Sequence, residues 1–492
     1  MLANLPSSCQ AVLTTLARLA QVRGLSVYLV GGVLRDHLAQ RVSHPLNVDV
    51  AVPRGAKPLA QALASELHGA LVVLDEPLGA VRVVIGHGPD RVECDVNDFR
   101  APTLDEDLRK RDFTVNAMAL PLEAALQSSW HAALVDPLNG RHDVERGRLR
   151  AVSPTAFHDD PVRILRGFRL AAHYGWQLEE PTRALMREGV GGLSRIAGER
   201  ITMELFKLLS TPHASDSLRA LDVLGALSVL WPEVDPCRQT DQGPYHHLDV
   251  WEHSLETVAQ LEHTLTAAFY TATLRPVFQP YLDTCLAGDR SRQALLKLIA
   301  LLHDIGKPTT RTVDATGRLR FTGHEHVGAT MARGIAKRLK LSSREETAIV
   351  RHITAHLRPG HLSRESAITK RAVFRFFRDT GDEGPGILLV WMADRLATKG
   401  PRVSADELPH QQAIIEQLLS AYFIAPEETV SPPRLVTGHD LMRELRLPAG
   451  PTVGELLQAI AEAQVERTVT TQDEALALAK TLLEHSAARR QL

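Results

Sequence analysis

The sequence contains Gly31-Gly32-Val33-Leu34-Arg35-Asp36 and, further on, Asn47-Val48-Asp49. An apolar run precedes the two glycines and a helix-like run follows them, which predicts a strand, a tight turn and a helix. Residues 48–52 again have the composition of a strand. Because alternate side chains of a strand point to the same face, we expect Asn47 and Asp49 to lie side by side. The two stretches therefore predict an α/β arrangement with polar groups beside a glycine turn.

The α/β pattern continues to about residue 150. Residues 57–67 have helical periodicity, with Leu59, Leu63 and Leu67 on one stripe. Three short runs with the composition of strands follow, at 71–74, 81–85 and 92–96. These alternating elements predict an α/β head over residues 1–150.

The polar cluster of the head suits phosphate chemistry. Carboxylates are the ligands that magnesium prefers, and Asp95, in preference to Glu93, could join Asp49 from a later strand. Amides at the start of the helix after the glycines can receive phosphate oxygens, and Arg35 offers a guanidinium for bidentate phosphate contact. Two glycines alone fit a tight turn without a ligand equally well.

Composition limits the remaining possibilities. The 492 residues are 44% hydrophobic and 23% charged, which is ordinary for a globular protein of several domains. The formal net charge is −2, so nucleic acid would have to bind local basic patches. Four cysteines without a Cys-x-x-Cys pair, and no apparent signal peptide or membrane-spanning run, favour a cytoplasmic protein with no membrane partner.

A third segment gives the head a family. Residues 110–118 are Lys-Arg-Asp-Phe-Thr-Val-Asn-Ala-Met, and they follow the Gly-Gly-x-x-Arg-Asp and x-x-Asp segments in order. In this order the three segments resemble the class II tRNA nucleotidyltransferase and poly(A) polymerase family. Residues 159–166, Asp-Asp-Pro-Val-Arg-Ile-Leu-Arg, resemble the nucleotide-selecting motif of that family, which usually begins with Glu.

The resemblance implies a polymerase-β-like head and assigns roles to its residues. Asp160 and Arg163 would recognise the Watson–Crick edge of CTP or ATP, since a carboxylate accepts from an exocyclic amine and a guanidinium donates to ring acceptors. Metal binding and catalysis would fall to Asp49, Asn47 and Asp95. The remaining nucleotide-binding residues are Gly31, Gly32, Arg35, Arg111, Arg166 and Arg169. Arg195, Arg200 and Lys207 are candidates for contact with the RNA backbone.

Asn47 departs from the family pattern, which is Asp-x-Asp. An amide oxygen can bind magnesium but brings no charge, so its metal binding should be weaker. Residues 41–48 contain no Asp or Glu that an alternative alignment could use. Two hypotheses remain: Asp49 with Asp95 supports a slow or altered transferase, or the head binds nucleotide or RNA without catalysis.

The middle of the chain contains a second candidate site. His303-Asp304 lies in a helical, histidine-rich region and resembles the HD superfamily of metal-dependent phosphohydrolases. The ligands that this resemblance implies are His253, His303, Asp304, His324, His356 and Asp394. Mixed imidazole and carboxylate ligands suit a divalent transition metal or magnesium. Any one of the 22 histidines taken alone is better explained as a structural or solvated residue.

The predicted architecture is α+β and multidomain. A helical neck at 151–235 follows the head, an all-α HD domain occupies 240–405, and a small helical C-terminal unit occupies 430–492. The leading function is template-independent addition of C, A or both to tRNA 3′ ends, with magnesium in the head, tRNA, CTP and ATP as partners, and no DNA. The alternative is an HD-type phosphohydrolase whose head, weakened by Asn47, only binds nucleotide or RNA. A non-catalytic RNA-binding protein is a third reading.

Overall fold

The computed structural model describes residues 5–41, 46–88, 91–125, 127, 129–266, 269–365 and 367–489. The chain folds into two compact units. The first comprises Met1–Leu208 with Ala220–Leu230, and the second comprises Leu209–Arg219 with Trp231–Leu492.

A six-stranded sheet forms the centre of the first unit. Its strands are β1 (Tyr28–Val30), β2 (Leu46–Val52), β3 (Ala70–Asp75), β4 (Ala80–Ile85), β5 (Val92–Asp98) and β6 (Ala119–Pro121). They are ordered β3-β4-β5-β2-β1-β6, and only the β2–β5 pair is parallel. Two short parallel strands, β7 (Arg148–Leu149) and β8 (Gln177–Leu178), form a separate pair.

Alternation along β2 and β5 separates the core from the polar face. Val48 and Val50 of β2, and Cys94 and Val96 of β5, are fully buried on one side. The residues between them therefore share the opposite side of the sheet. The glycine turn and the polar residues predicted from the sequence lie on this second face.

Helices surround the sheet and continue beyond it. Those that begin in the first unit are α1 (Ser7–Val22), α2 (Gly32–Leu38), α3 (Ala56–Glu66), α4 (Leu104–Arg109), α5 (Leu122–Ala125), α6 (Gly140–Arg146), α7 (Ala156–Asp159), α8 (Arg163–Tyr174), α9 (Glu180–Gly189), α10 (Gly198–Leu209) and α12 (Ala226–Leu230). Helix α11 (Ala214–Val223) begins in the second unit and ends in the first. The 3-10 helices of the first unit are Thr114–Asn116, Trp130–Ala133 and Val190–Arg195.

The second unit is almost entirely helical. Its further helices are α13 (Val250–Thr264), α14 (Arg275–Asp283), α15 (Arg292–Leu302), α16 (Lys307–Thr310), α17 (His324–Arg338), α18 (Ser343–Ala355), α19 (Arg358–Leu362), α20 (Lys370–Thr380), α21 (Gly384–Ala397), α22 (Leu408–Phe423), α23 (Pro426–Thr429), α24 (Gly438–Leu445), α25 (Pro451–Val465) and α26 (Gln472–Arg489). Its 3-10 helices are Pro232–Cys237, Gly381–Glu383 and Ala405–Glu407. Two hairpins join β9 (Cys285–Ala287) to β10 (Arg290–Ser291) and β11 (Thr312–Val313) to β12 (Leu319–Arg320).

The α/β head and the mainly helical remainder confirm the predicted α+β class. The polar, turn-rich composition of segment 235–244 suits a linker, but its Gln242 is buried and accepts a hydrogen bond from Lys307 at 2.8 Å. Helices α24–α26 enclose a small apolar cluster of their own around Leu441 and Ile460. Over the described ranges, none of the helices has both the length and the apolarity needed to cross a bilayer.

Candidate active site

Asn47 and Asp49 lie on the polar face of β2, as the alternation predicted. Asn47 is exposed and Asp49 is half-buried. The parallel register places Asn47 opposite Glu93 and Asp49 opposite Asp95 on β5. Four polar side chains from two adjacent strands are therefore gathered on one patch of the sheet.

The glycine turn approaches Asp49 closely. Gly31 has φ of 69°, and a Cβ there would lie 3.1 Å from Oδ2 of Asp49. The backbone N–H of Gly32 donates to the Asp49 carboxylate. Burial, followed by the neighbouring Asp95, raises the pKa of Asp49, while Arg111 acts in the opposite direction. A cation at this carboxylate would relieve the cost of its charge.

Arg82 of β4 contacts the acids of β5, and the sequence analysis did not identify it. Its Nε and Nη2 donate to Asp95 at 2.7 and 2.9 Å, and its Nη1 lies 2.6 Å from Glu93. Arg91 also pairs with Glu93. To predict that Arg82 lies near the site, one must know the order of the strands in the sheet. The sequence alone does not give that order.

Arg35 is buried beneath the glycine turn rather than extended into it. Its guanidinium donates to Asp36 at 2.8 Å, to the Tyr174 hydroxyl at 3.0 Å and to Asn116 Oδ1 at 2.7 Å. Asn116 belongs to the 110–118 segment, so Arg35 connects that segment to the glycine turn. Its predicted contact with phosphate stays a prediction.

Arg111 lies nearer to the predicted metal ligand. Its guanidinium is 3.5 Å from the point where a Cβ on Gly31 would stand, and it contacts Asp107 at 3.2 Å. The buried Nε of Arg111 has no hydrogen-bond partner among the described residues. An unpartnered buried donor beside a glycine turn is suited to an anionic ligand.

The two residues predicted to select the base have different surroundings. Arg163 is buried and donates to the carbonyl oxygens of Lys110, Arg111 and Ala156 at 2.8–3.2 Å. Asp160 pairs with Arg200 at 2.7 Å through Oδ2, whereas its buried Oδ1 has no partner in the described part of the chain. Asp160 thus has a free acceptor, and Arg163 fixes the backbone around it.

Arg166 and Arg169 share a carboxylate that the sequence analysis missed. Glu204 of α10 accepts from Arg166 at 2.8 Å and from Arg169 at 2.7 Å. Arg166 also donates to Asp112 at 3.0 Å, and this arginine is the strongest influence that lowers the pKa of the buried Asp112 against the effect of burial. These partners explain how like charges on one helix face are tolerated.

The second unit brings the predicted HD residues together from five helices and the turns that adjoin them. His253 lies in α13, His303 and Asp304 follow α15, and the remaining ligands are His324 at the start of α17, His356 just after α18 and Asp394 in α21. Burial of these side chains ranges from complete to substantial. These six residues are far apart in the sequence, but the fold brings their side chains close together.

The HD distances define two groups that share Asp304. In the first, His253 and His303 lie 3.8 and 3.1 Å from Asp304 Oδ2. In the second, His324 and His356 lie 3.3 and 3.7 Å from Asp304 Oδ1. Asp394 contacts His253 at 2.8 Å and lies 3.9 Å from His303.

The chemistry of these groups fits a divalent metal. Within the described residues, both oxygens of Asp304 and Nε2 of His303 are buried and lack a well-directed hydrogen bond. Burial lowers the pKa of His356 to about 4, so its imidazole is neutral and able to bind metal at neutral pH. The Lys307 ammonium, 2.6 Å from Asp304, was not predicted and offsets the carboxylate charge.

Four protein-family models match successive segments of the chain. The Poly A polymerase head domain matches residues 27–150, and the probable RNA- and SrmB-binding site of polymerase A matches 175–238. The HD domain matches 260–380, and the putative tRNA nucleotidyltransferase domain 2 matches 386–479.

Full-length relatives extend these matches. The chain is 35% identical to the A-adding tRNA nucleotidyltransferase of Deinococcus radiodurans, covering 93% of this chain and 96% of that protein. It is 33% identical to the CC-adding tRNA nucleotidyltransferase of Thermus thermophilus, covering 91% and 92%. The solved Thermotoga maritima CCA-adding enzyme in complex with tRNA shares the fold, with a TM-score of 0.63, 20% identity, and coverage of 98% and 97%.

Proposed function

The chain belongs to the class II tRNA nucleotidyltransferases that carry an HD domain, and on this premise we propose that it adds C, A or both to tRNA 3′ ends. The nucleotides come from CTP and ATP, and no template is used. The observation that carries this function is the match, over more than nine-tenths of the chain, to A-adding and CC-adding enzymes. The comparisons support this reading and not the alternative of a hydrolase with a purely binding head.

The proposed transfer centre is the patch formed by β2, β5 and the glycine turn. The nucleotidyltransferase and HD assignments imply a need for divalent metal, and we propose magnesium for the head because its acids offer hard oxygen ligands. Magnesium bound there would activate the 3′-hydroxyl and stabilise the triphosphate. Asp49 and Asp95 would hold it, with Asn47 as an uncharged third ligand.

The remaining residues of the head would position the nucleotide. Arg111, with its unpartnered Nε, is placed to contact the triphosphate, and the Gly31 turn leaves space beside Asp49. Asp160 has a free buried oxygen that can accept from the exocyclic amine of C or A. Arg163 would act through the backbone that it fixes. Arg35, Arg166 and Arg169 would support the site that binds the triphosphate. Their guanidinium groups are held in place by neighbouring carboxylates.

Asp49→Asn tests the transfer function. The variant keeps the size of the side chain and removes its charge, so incorporation of labelled CTP or ATP into end-truncated tRNA should stop. Asp105→Asn is a matched control, because Asp105 is exposed and pairs with Arg109 on its own helix. Equal activity of Asp49→Asn and the wild type would reject the proposed centre.

For the second unit we propose metal-dependent hydrolysis of phosphate esters. The support is the pair of buried groups that share Asp304, whose imidazole and carboxylate atoms suit manganese, nickel, iron or magnesium. A metal bound there would supply a hydroxide nucleophile for a phosphoester. Asp304→Asn should abolish hydrolysis of 2′,3′-cyclic nucleotides while labelled nucleotide is still added to tRNA. Hydrolysis that survives this change would exclude the HD centre as its source.

The domain boundaries and the location stay proposals. We keep a head at 1–150, a neck at 151–235, an HD domain at 240–405 and a C-terminal unit at 430–492. Because its proposed substrate is tRNA, we place the protein in the cytoplasm, and fractionation of cells with an antibody against the chain would test this.

A further inference from the structure

The acid that the family pattern has at residue 47 has a counterpart on the neighbouring strand. Asn47 is the register partner of Glu93 in the parallel β2–β5 pair, two residues before the pair formed by Asp49 and Asp95. In-register side chains of adjacent strands stand about 4.8 Å apart on the same face. Glutamate is one methylene longer than aspartate. Glu93 can therefore reach the position that an acid at residue 47 would serve.

The surroundings of Glu93 are positively charged, because Arg82 and Arg91 both pair with its carboxylate. Its side chain is only 10% exposed. Nη1 of Arg82 lies 2.6 Å from Glu93, while Nε and Nη2 of the same guanidinium hold Asp95 at 2.7 and 2.9 Å. The guanidinium of Arg82 thus bridges the carboxylates of Glu93 and Asp95, which are neighbours on this face of β5. A divalent cation satisfies the same pair of carboxylates with shorter contacts.

We propose that Glu93 is a further carboxylate of the head's metal site and compensates for Asn47. Arg82 occupies the cation position between Glu93 and Asp95 and gives up part of its contacts when a divalent cation binds. The inference rests on the proposed function of the head and explains how a transferase retains three carboxylates on this face, Asp49, Glu93 and Asp95. It also gives Arg82 a defined role, because its guanidinium competes with the divalent cation for Glu93 and Asp95.

A double-mutant cycle tests this dependence between residues 47 and 93. The full-length wild type, Glu93→Gln, Asn47→Asp and the double variant are compared for binding of Mn²⁺ by titration calorimetry without substrate. The HD site is the same in all four proteins, so its contribution cancels. Glu93→Gln should weaken Mn²⁺ binding by about tenfold in the wild-type background, and by less than about twofold in the Asn47→Asp background, where the acid at residue 47 is restored.

Equal losses in both backgrounds, or no loss in either, would overturn the proposal and leave Glu93 as a structural partner of Arg82. Glu66→Gln is a matched control, since it also removes a glutamate that pairs with an arginine in the first unit but is far more exposed. Its Mn²⁺ binding should equal that of the wild type.

Arg82→Gln tests the other side of the proposal and does not depend on the stability of the Glu93 variants. Removing the competing guanidinium should tighten Mn²⁺ binding, and unchanged or weaker binding would contradict the assigned role. Incorporation of labelled CTP or ATP into tRNA is measured in parallel. A wild type that transfers nothing but shows the predicted cycle would reject the proposed function alone, whereas transfer without the cycle would reject only this inference.

Discussion

At the scale of single residues, the strand alternation placed Asn47 beside Asp49, and together with the family resemblance it located the proposed transfer site. It was not enough to identify the partners of that site. Arg82 reaches Asp95 from β4, and Glu204 reaches Arg166 from α10, through pairings that only the folded chain establishes. Local periodicity carries no information on which strand or helix lies opposite, so these residues could not be predicted.

Asp160 should control which base is accepted. Its unpartnered Oδ1 can accept from the exocyclic amine of cytosine or adenine, and uracil has no such donor. In Asp160→Asn, selection of CTP or ATP over UTP should fall by about tenfold or more, measured as the ratio of kcat/KM values. Asp105→Asn, at an exposed residue outside the motif, serves as the control. An unchanged ratio in Asp160→Asn would exclude base recognition by this carboxylate.

At the scale of elements, the helix and strand expectations for the head agree with the structure to within a few residues, because each has a strong periodic pattern. The HD set was different. Its residues come from five helices and adjoining turns, and their association was predicted from a family resemblance rather than from spacing. Contacts between distant helices remained unpredicted, and the clearest example joins α20 to α25.

Glu462 of α25 should stabilise the attachment of that helix to α20. It is buried and accepts hydrogen bonds from Arg371, Arg375 and Arg378 at 2.8–3.0 Å. Because these arginines are partly exposed, Glu462→Gln should cost only about 1 kcal/mol at neutral pH. Amide hydrogen exchange of α25 would detect the change. Glu466→Gln is the control, because the Glu466 carboxylate lies 4.0 Å from Arg371.

The same contact predicts a dependence on pH. Hydrogen bonding from Arg375 is the largest of the effects that lower the pKa of Glu462, to about 2 from an ordinary value of 4.5. A depressed folded-state pKa gives stability that is present above the ordinary value and is lost as the pH falls toward about 2. The difference in α25 exchange between wild type and Glu462→Gln should therefore shrink as the pH falls from the ordinary value toward the depressed one. A difference that stays constant over this range would contradict the role of the carboxylate charge.

At the scale of the whole molecule, the two proposed sites lie in two different compact units, each with its own buried core. The sequence predicted the α+β class, and the resemblance of its motifs to two families indicated where each proposed site would lie. We therefore expect the two activities to be separable. His303→Ala should leave nucleotide addition to tRNA within about twofold of the wild type while cyclic-phosphate hydrolysis is lost, as assays of both reactions on one preparation would show. A comparable loss of both activities would contradict separate sites.

The measurement that tests the account most directly uses purified wild-type protein with magnesium and tRNAs that end before CCA, after C and after CC. Each tRNA is supplied with labelled CTP or ATP. The Asn47→Asp variant is assayed in parallel under the same conditions. We predict that the wild type incorporates label, that the tRNA which accepts it identifies C or A addition, and that Asn47→Asp needs less magnesium. No incorporation by the wild type, with activity only in Asn47→Asp, would contradict the account and show that the head lost its chemistry at residue 47.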